Sequence, residues 1–263
     1  MNRVGFGQSS FALKALGFTS KVNPDDAILA LFTGGKQGVW YDPSDKSTLF
    51  QDVAGTVPVT ADGDPVALML DKSGNNNHAT QTVSTSRPVY MTDGELHWLE
   101  FDGVDDSLSI PDYDIPDKDN YILALTIRSV SSSIGAHERI YYYNNSNVGN
   151  IQVNINNSHK LSFTHGDSIY VPNASTRDAV KDKDLVVVTT ATKLFVNGEQ
   201  AVAPDMGAPT PVGEGHFLAT RADKEVYYKG RIYSLIASTP NTVDDRTTVD
   251  ITNYLMINAG IVT

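Results

Sequence analysis

Apolar residues recur at every second position through much of this chain, and that period sets its class. In GELHWLEFDGVDDSLSI (Gly94–Ile110), His97, Leu99 and Phe101 fall on one face and Trp98, Glu100 and Asp102 on the other, because side chains alternate across a strand. Gly103 permits the dihedrals of a tight turn, Asp105 and Asp106 suit turn positions, and Leu108 and Ile110 resume the alternation. From Asn120 onward the period persists. Tyr121, Leu123, Leu125 and Ile127 predict a half-buried strand; Arg139–Tyr143, Asn150–Ile155 and Lys160–Phe163 predict short strands separated by Asn-, Ser- and Gly-rich turns. Asp184–Thr190 is nearly continuous and β-branched, the pattern of a central strand covered on both faces. Within Lys193–Val202, Asn197-Gly198 between apolar runs predicts a type I′ hairpin. Gly215–Thr220 and Val226–Ser238 add two strands. Short strands with turns every ~8–12 residues predict an all-β sandwich.

The period changes at both ends. Residues 1–36 read as an N-terminal arm, in which Phe11, Leu13, Leu16 and Phe18 form a short amphipathic patch suited to an assembly contact. Asn23-Pro24-Asp25-Asp26 then resembles a helix start, with Ala27–Phe32 as its body and Gly34-Gly35 as its stop. Near the C-terminus, Thr242 and Asp245 are spaced as a capping box, Ile251, Tyr254 and Leu255 share a helical face, and Gly260 supplies the stop. Residues 37–263 are thus expected to form one sandwich closed by a short helix. Between the arm and the first clear strands, residues 38–90 are rich in loops. Turns fall at Asp42-Pro43-Ser44-Asp45 and Thr60–Pro65, and LDKSGNNNHATQ forms a polar loop.

Charge and composition narrow the partners. Asp and Glu outnumber Lys and Arg by 31 to 20, for a formal charge of −11, which opposes non-specific binding to nucleic acid. There is no cysteine, so disulfides, thiolate zinc sites and thiol nucleophiles are absent. No apolar run approaches the ~20 residues of a membrane helix. The N-terminal stretch lacks the charge and apolar core of a secretory signal, so a destination outside the cell implies release by lysis.

Four segments in order, LDKSGNNNHATQ (Leu70–Gln81), LEFDGVDDSLSI (Leu99–Ile110), LVVVTTATKLFVNGEQAV (Leu185–Val202) and FLATRADKEVYYKGRIYSLIAS (Phe217–Ser238), resemble the concanavalin A-like, laminin G-like jelly-roll superfamily. The opening from Val39 through Arg87-Pro88, and the closing helix ending in NAGIV, are similar to jelly-roll proteins of tailed bacteriophages. The resemblance covers about residues 38 to 262. It implies a non-enzymatic virion structural protein of the tail, baseplate or fibre, assembled in the host cytoplasm and presenting a lectin-like domain to host-surface glycans. It further implies contact with other virion proteins through the arm and a homo-oligomer, with a trimer favoured. A capsid decoration or head fibre is the alternative within that class; a glycan-degrading hydrolase on the same fold is the alternative outside it.

Candidate chemistry is sparse. Glu100, Asp102 and Asp105 resemble the acidic strand of retaining endo-glucanases, which need two carboxyls about 5–5.5 Å apart, but the third acid here is Asp and follows a glycine turn. No cofactor is required. Laminin G-like domains often hold a hard cation, and by that resemblance Asp71, Asp102, Asp105 and Asp106 are candidate ligands for a structural calcium ion, although EF-hand spacing is absent. His78, His97, His137, His159, His165 and His216 form no HxH or HExxH pair. For sugar contact the strongest group is Tyr141 and Tyr143 with Asn144 and Asn145, since aromatic faces stack on pyranose rings and amides pair with hydroxyls. Alternation places either Tyr142 or the Tyr141/Tyr143 pair outward.

Overall fold

A computed structural model describes residues 24–113, 121–130, 138–145, 149–155, 160–165, 168–170, 182–190, 193–201, 215–220, 226–240 and 243–261. The strands are β1 (Gly38–Tyr41), β2 (Leu49–Phe50), β3 (Leu68–Met69), β4 (Ala79–Thr80), β5 (Val89–Thr92), β6 (His97–Asp102), β7 (Leu108–Ser109), β8 (Ile122–Ser129), β9 (Glu138–Asn145), β10 (Gly149–Ile155), β11 (Leu161–His165), β12 (Ser168–Tyr170), β13 (Asp184–Thr190), β14 (Leu194–Val196), β15 (Glu199–Ala201), β16 (Gly215–Leu218) and β17 (Lys229–Ser238). Helices α1 (Pro24–Leu29) and α2 (Asp245–Asn258) flank them. All pairings among these strands are antiparallel.

The strands form two sheets, as the alternation predicts. One runs β15-β14-β13-β8-β17-β6-β5, with β1 pairing the C-terminal half of β17; the other runs β12-β11-β10-β9-β16-β7-β4-β3-β2. The main core lies between them. Leu99, Phe101, Leu125, Ile127, Leu185, Val187 and Leu235 from the first sheet meet Leu49, Met69, Leu108, Tyr141, Val153 and Leu218 from the second. At ~1.5–3 kcal/mol per buried large side chain, this interface dominates stability.

A second core covers the outer face of the first sheet. Ile251, Tyr254 and Leu255 of α2, and Ile28, Leu31 and Phe32 from α1 and the 3₁₀ turn after it, pack on Trp40, Ile122, Ala124, Val186, Val188 and Ile236. This layer explains why β13 is apolar at successive positions: Leu185 and Val187 face the main core, and Val186 and Val188 face the helices. Residues 28–32, assigned to the arm from sequence, are thus packed on the sandwich. Phe11, Leu13, Leu16 and Phe18 lie outside the described residues.

Two local signals resolve differently. The α2 N-cap is Asp244, whose carboxylate accepts from Thr247 N at 2.7 Å, rather than a box beginning at Thr242. The hairpin at Asn197-Gly198 has φ of +49° and +80°, the type I′ geometry expected. Asn197 adds a bond that alternation cannot show: its side-chain oxygen accepts from Val186 N at 2.8 Å, pinning the hairpin to β13.

Candidate functional site

The outer face of the second sheet carries a row of side chains set by strand register. Thr80 pairs with Ser109, Ser109 with Phe217, Phe217 with Tyr142, and Tyr142 with Gln152. Their neighbours Ala79, Leu108, Leu218, Tyr141 and Val153 all face the inter-sheet core, so the row points away from it. Phe217 and Tyr142 lie with ring centroids 6.5 Å apart. Tyr142 and Gln152 are buried, whereas Phe217 and Thr80 are half-buried and Ser109 is exposed.

At the accessible end of this row is a cleft of about 270 Å³ lined by Thr80, Gln81, Thr82, Ser107, Ser109 and Phe217. Gln81 fixes two of its walls. Its amide donates to Ser107 O at 2.9 Å and to Ser107 Oγ at 3.1 Å, while its side-chain oxygen accepts from Val83 N at 3.0 Å. Hydroxyls, one amide and one aromatic ring, arranged on a rigid sheet, suit a ligand that both donates and accepts hydrogen bonds and offers an apolar face.

The acidic turn adjoins this cleft, since Ser107 directly follows Asp106. One carboxylate oxygen from each of Asp102, Asp105 and Asp106 lies within 4.8 Å of the others. Burial, reinforced by the charges of Asp102 and Asp105, pushes the Asp106 carboxyl up to about 7, although Asp102 N donates to it at 3.0 Å. Asp102 Oδ1 accepts from Val104 N at 2.7 Å and Asp105 N at 3.3 Å, and Asp105 Oδ2 accepts from Ser86 Oγ at 2.8 Å. Among the described residues, the second oxygen of each carboxylate makes no hydrogen bond. Calcium takes 6–8 oxygens, so these three residues could supply at most half a shell, completed by carbonyls or water.

Asp71, expected beside them, does not join the trio. Its Oδ1 accepts from Trp40 N and Ser73 N, both at 2.9 Å, and its Oδ2 from Ser73 Oγ at 2.7 Å and Asn77 N at 3.0 Å. Four donors occupy this carboxylate, and it serves as the anchor of the Asp-x-Ser-Gly loop against β1.

The sugar-contact expectation needs correction at its aromatic residues. Tyr141 and Tyr143 are each only 1% exposed and point between the sheets, so neither can stack on a sugar. They pack instead with Tyr113 around His216, whose Nε2 lies 2.9 Å from Tyr141 Oη. Burial pushes this imidazole down to about 3, so it is neutral at physiological pH. Asn144 is buried, with its amide 3.4 Å from Tyr142 Oη, and the Asn145 side chain lies outside the described residues. Outward-facing Phe217, the residue missed, gives no signal in sequence beyond its place in a short alternating run.

Glu100 lies on the other sheet. Its Oε2 accepts from Trp98 Nε1 at 2.7 Å and pairs with Arg231 at 3.3 Å, and the Arg231 guanidinium sits 4.3 Å from the Trp98 ring centroid. These mutual contacts tie β6 to β17 and engage the carboxylate that the endo-glucanase pattern would use.

No protein-family model matches the sequence, and a search of curated proteins finds no match. Solved structures do resemble the fold. Trypanosoma rangeli sialidase superposes with a TM-score of 0.54 at 10% identity, over 96% of this chain and 40% of that one. The same sialidase in complex with the inhibitor DANA gives 0.51 at 11% identity, over 94% and 37%. A GH54 α-L-arabinofuranosidase soaked with a cyclic sulfate inhibitor gives 0.54 at 12% identity, over 89% and 65%. The chain therefore spans 37% to 65% of the lengths of these structures. At such identities the likeness is one of fold. It nevertheless corrects the expectation of a non-enzymatic chain: these matches are enzymes, so this fold gives no ground for excluding catalysis.

Proposed function

We propose that this chain is a carbohydrate-engaging β-sandwich domain whose sugar site is the cleft on the outer face of the second sheet. The observation that carries this reading is the convergence of Thr80, Ser109 and Phe217 from three adjacent strands, with Gln81 and Ser107 locked behind them. The sialidase and arabinofuranosidase that share the fold handle sugars as their names state, which supports the same ligand class here. The domain's proposed setting is a tailed-phage virion, with host-surface glycans as ligands, the N-terminal arm contacting neighbouring virion proteins through Phe11, Leu13, Leu16 and Phe18, and a trimer as the assembled form. This rests on the motif resemblance. A glycan array probed with the multivalent chain tests the ligand class: wild-type binding that Ser109→Trp abolishes supports it, and an empty array contradicts it. Removing residues 1–22, which spares buried Ile28, Leu31 and Phe32, should block incorporation into particles while leaving the sandwich folded.

A second reading, glycan hydrolysis, is favoured by one feature. Burial pushes the Asp106 carboxyl up to about 7, beside two further carboxyls and one residue before Ser107 of the cleft lining. A carboxyl protonated near neutrality is what a general acid requires. Release of reducing ends by the wild-type chain, lost in Asp106→Asn, would support this reading; no release from any glycan bound on the array would dismiss it.

A further inference from the structure

The cleft's chemistry also indicates which sugars it accepts. We propose that it takes a neutral, hydroxyl-rich sugar unit and discriminates against sialylated or other anionic glycans, an inference that rests on the glycan-binding reading above. Its lining contains the hydroxyls of Thr80, Thr82, Ser107 and Ser109, the amide of Gln81 and the ring of Phe217. The hydroxyls of Thr80, Thr82 and Ser109 make no hydrogen bond among the described residues and remain open to a ligand. Ser107 Oγ accepts from Gln81, which leaves its proton to be donated. Each hydroxyl can donate and accept, as sugar hydroxyls also do.

A carboxylate makes a different demand, because it only accepts and is recognised best by the fixed fork of an arginine or by a lysine. Among the described residues, no cationic side chain lines the cleft. Arg87 is not among the lining residues: its Nε donates to the Gln81 carbonyl at 3.3 Å and its Nη1 to Gln51 O at 3.0 Å, which hold the guanidinium against backbone. Asp105 and Asp106, which precede Ser107 in the chain, do not line the cleft, but the protein as a whole carries a formal charge of −11. An anionic sugar there finds no ion-pair partner among the lining residues, on a protein whose net charge has its own sign. Phe217, set beside Tyr142 on the neighbouring strand, offers a stacking face that is indifferent to ligand charge.

The test is calorimetric titration of the full chain with lactose, cellobiose, maltose and N-acetyllactosamine, and with 3′-sialyllactose, each repeated on Phe217→Ala and Ser109→Trp. Ser109 is exposed, so the second variant fills the cleft without entering the core and keeps the test decisive if the first fails to fold. The expected result is binding of at least one neutral disaccharide, lost in both folded variants, with sialyllactose weaker by on the order of tenfold or more, as a charge without an ion-pair partner requires. Sialyllactose binding as tightly as its neutral counterpart, and also lost in the variants, would overturn the selectivity while sparing the site. Binding of no sugar, or binding that neither variant affects, would overturn both.

Discussion

Replacing Asp106 with asparagine isolates the electrostatics of the acidic turn. The wild-type carboxyl rises from the ordinary 3.8 to about 7 on folding, chiefly through burial and then through Asp102 and Asp105. At ~1.4 kcal/mol per pK unit that gap has a ceiling of ~4 kcal/mol; solvent screening at the turn lowers the expected effect to about 1–2 kcal/mol. The sign follows from the raised folded value. Below pH 3.8 the group is neutral in both states and contributes nothing. Between 3.8 and about 7 the unfolded chain ionises while the folded chain holds its proton, so stability falls as pH rises; above about 7 the full penalty remains. The asparagine amide keeps an acceptor for Asp102 N and cannot ionise. Asp106→Asn should therefore match wild type near pH 4 and exceed it at pH 8, by about 2–6 °C in Tm. Thermal unfolding of both proteins across pH 4–8 in EDTA measures this, and a variant destabilised equally at every pH would refute the reasoning. Millimolar calcium extends the experiment: if the trio holds a cation, calcium raises the wild-type Tm and the variant loses its advantage.

Other perturbations test the scaffold. Asp71→Ala should cost ~3–5 kcal/mol, because it strands the Trp40, Ser73 and Asn77 N–H groups in a buried loop; chemical denaturation reads this directly. Leu255→Ala should cost ~2–5 kcal/mol by opening the outer core beneath α2, and the loss should appear as a lower denaturation midpoint. Gly198→Ala should destabilise by about 1 kcal/mol, since φ of +80° strains any side chain, and the shift in Tm should be unaffected by added sugar.

Where a segment's own period decided burial, the fold was legible in sequence. β6 buried Leu99 and Phe101 as alternation required, and β13 was covered on both faces. The Tyr141-Tyr142-Tyr143 run was ambiguous for a physical reason. All three residues are aromatic, so alternation gives no phase from the run itself, and the pairing skips Ile140 just before it, which places Ile140 and Tyr141 both in the core and breaks the phase that the preceding residues would have supplied. The cleft was illegible because β4 and β7 are two residues long, too short to show a period, and because Thr80, Ser109 and Phe217 meet only through pairing of distant segments. Asp71 misled for another reason: an aspartate binding backbone N–H groups and one binding a cation look the same in a loop sequence.

The most direct measurement of the central claim is a ¹H–¹⁵N correlation titration of the labelled chain with the neutral oligosaccharide that binds most tightly. Binding in the cleft predicts saturable shifts centred on the amides of residues 80–82, 107–109 and 217. Shifts centred instead on Trp98, Glu100 and Arg231 of the opposite sheet, or no saturable shift at all, would contradict it.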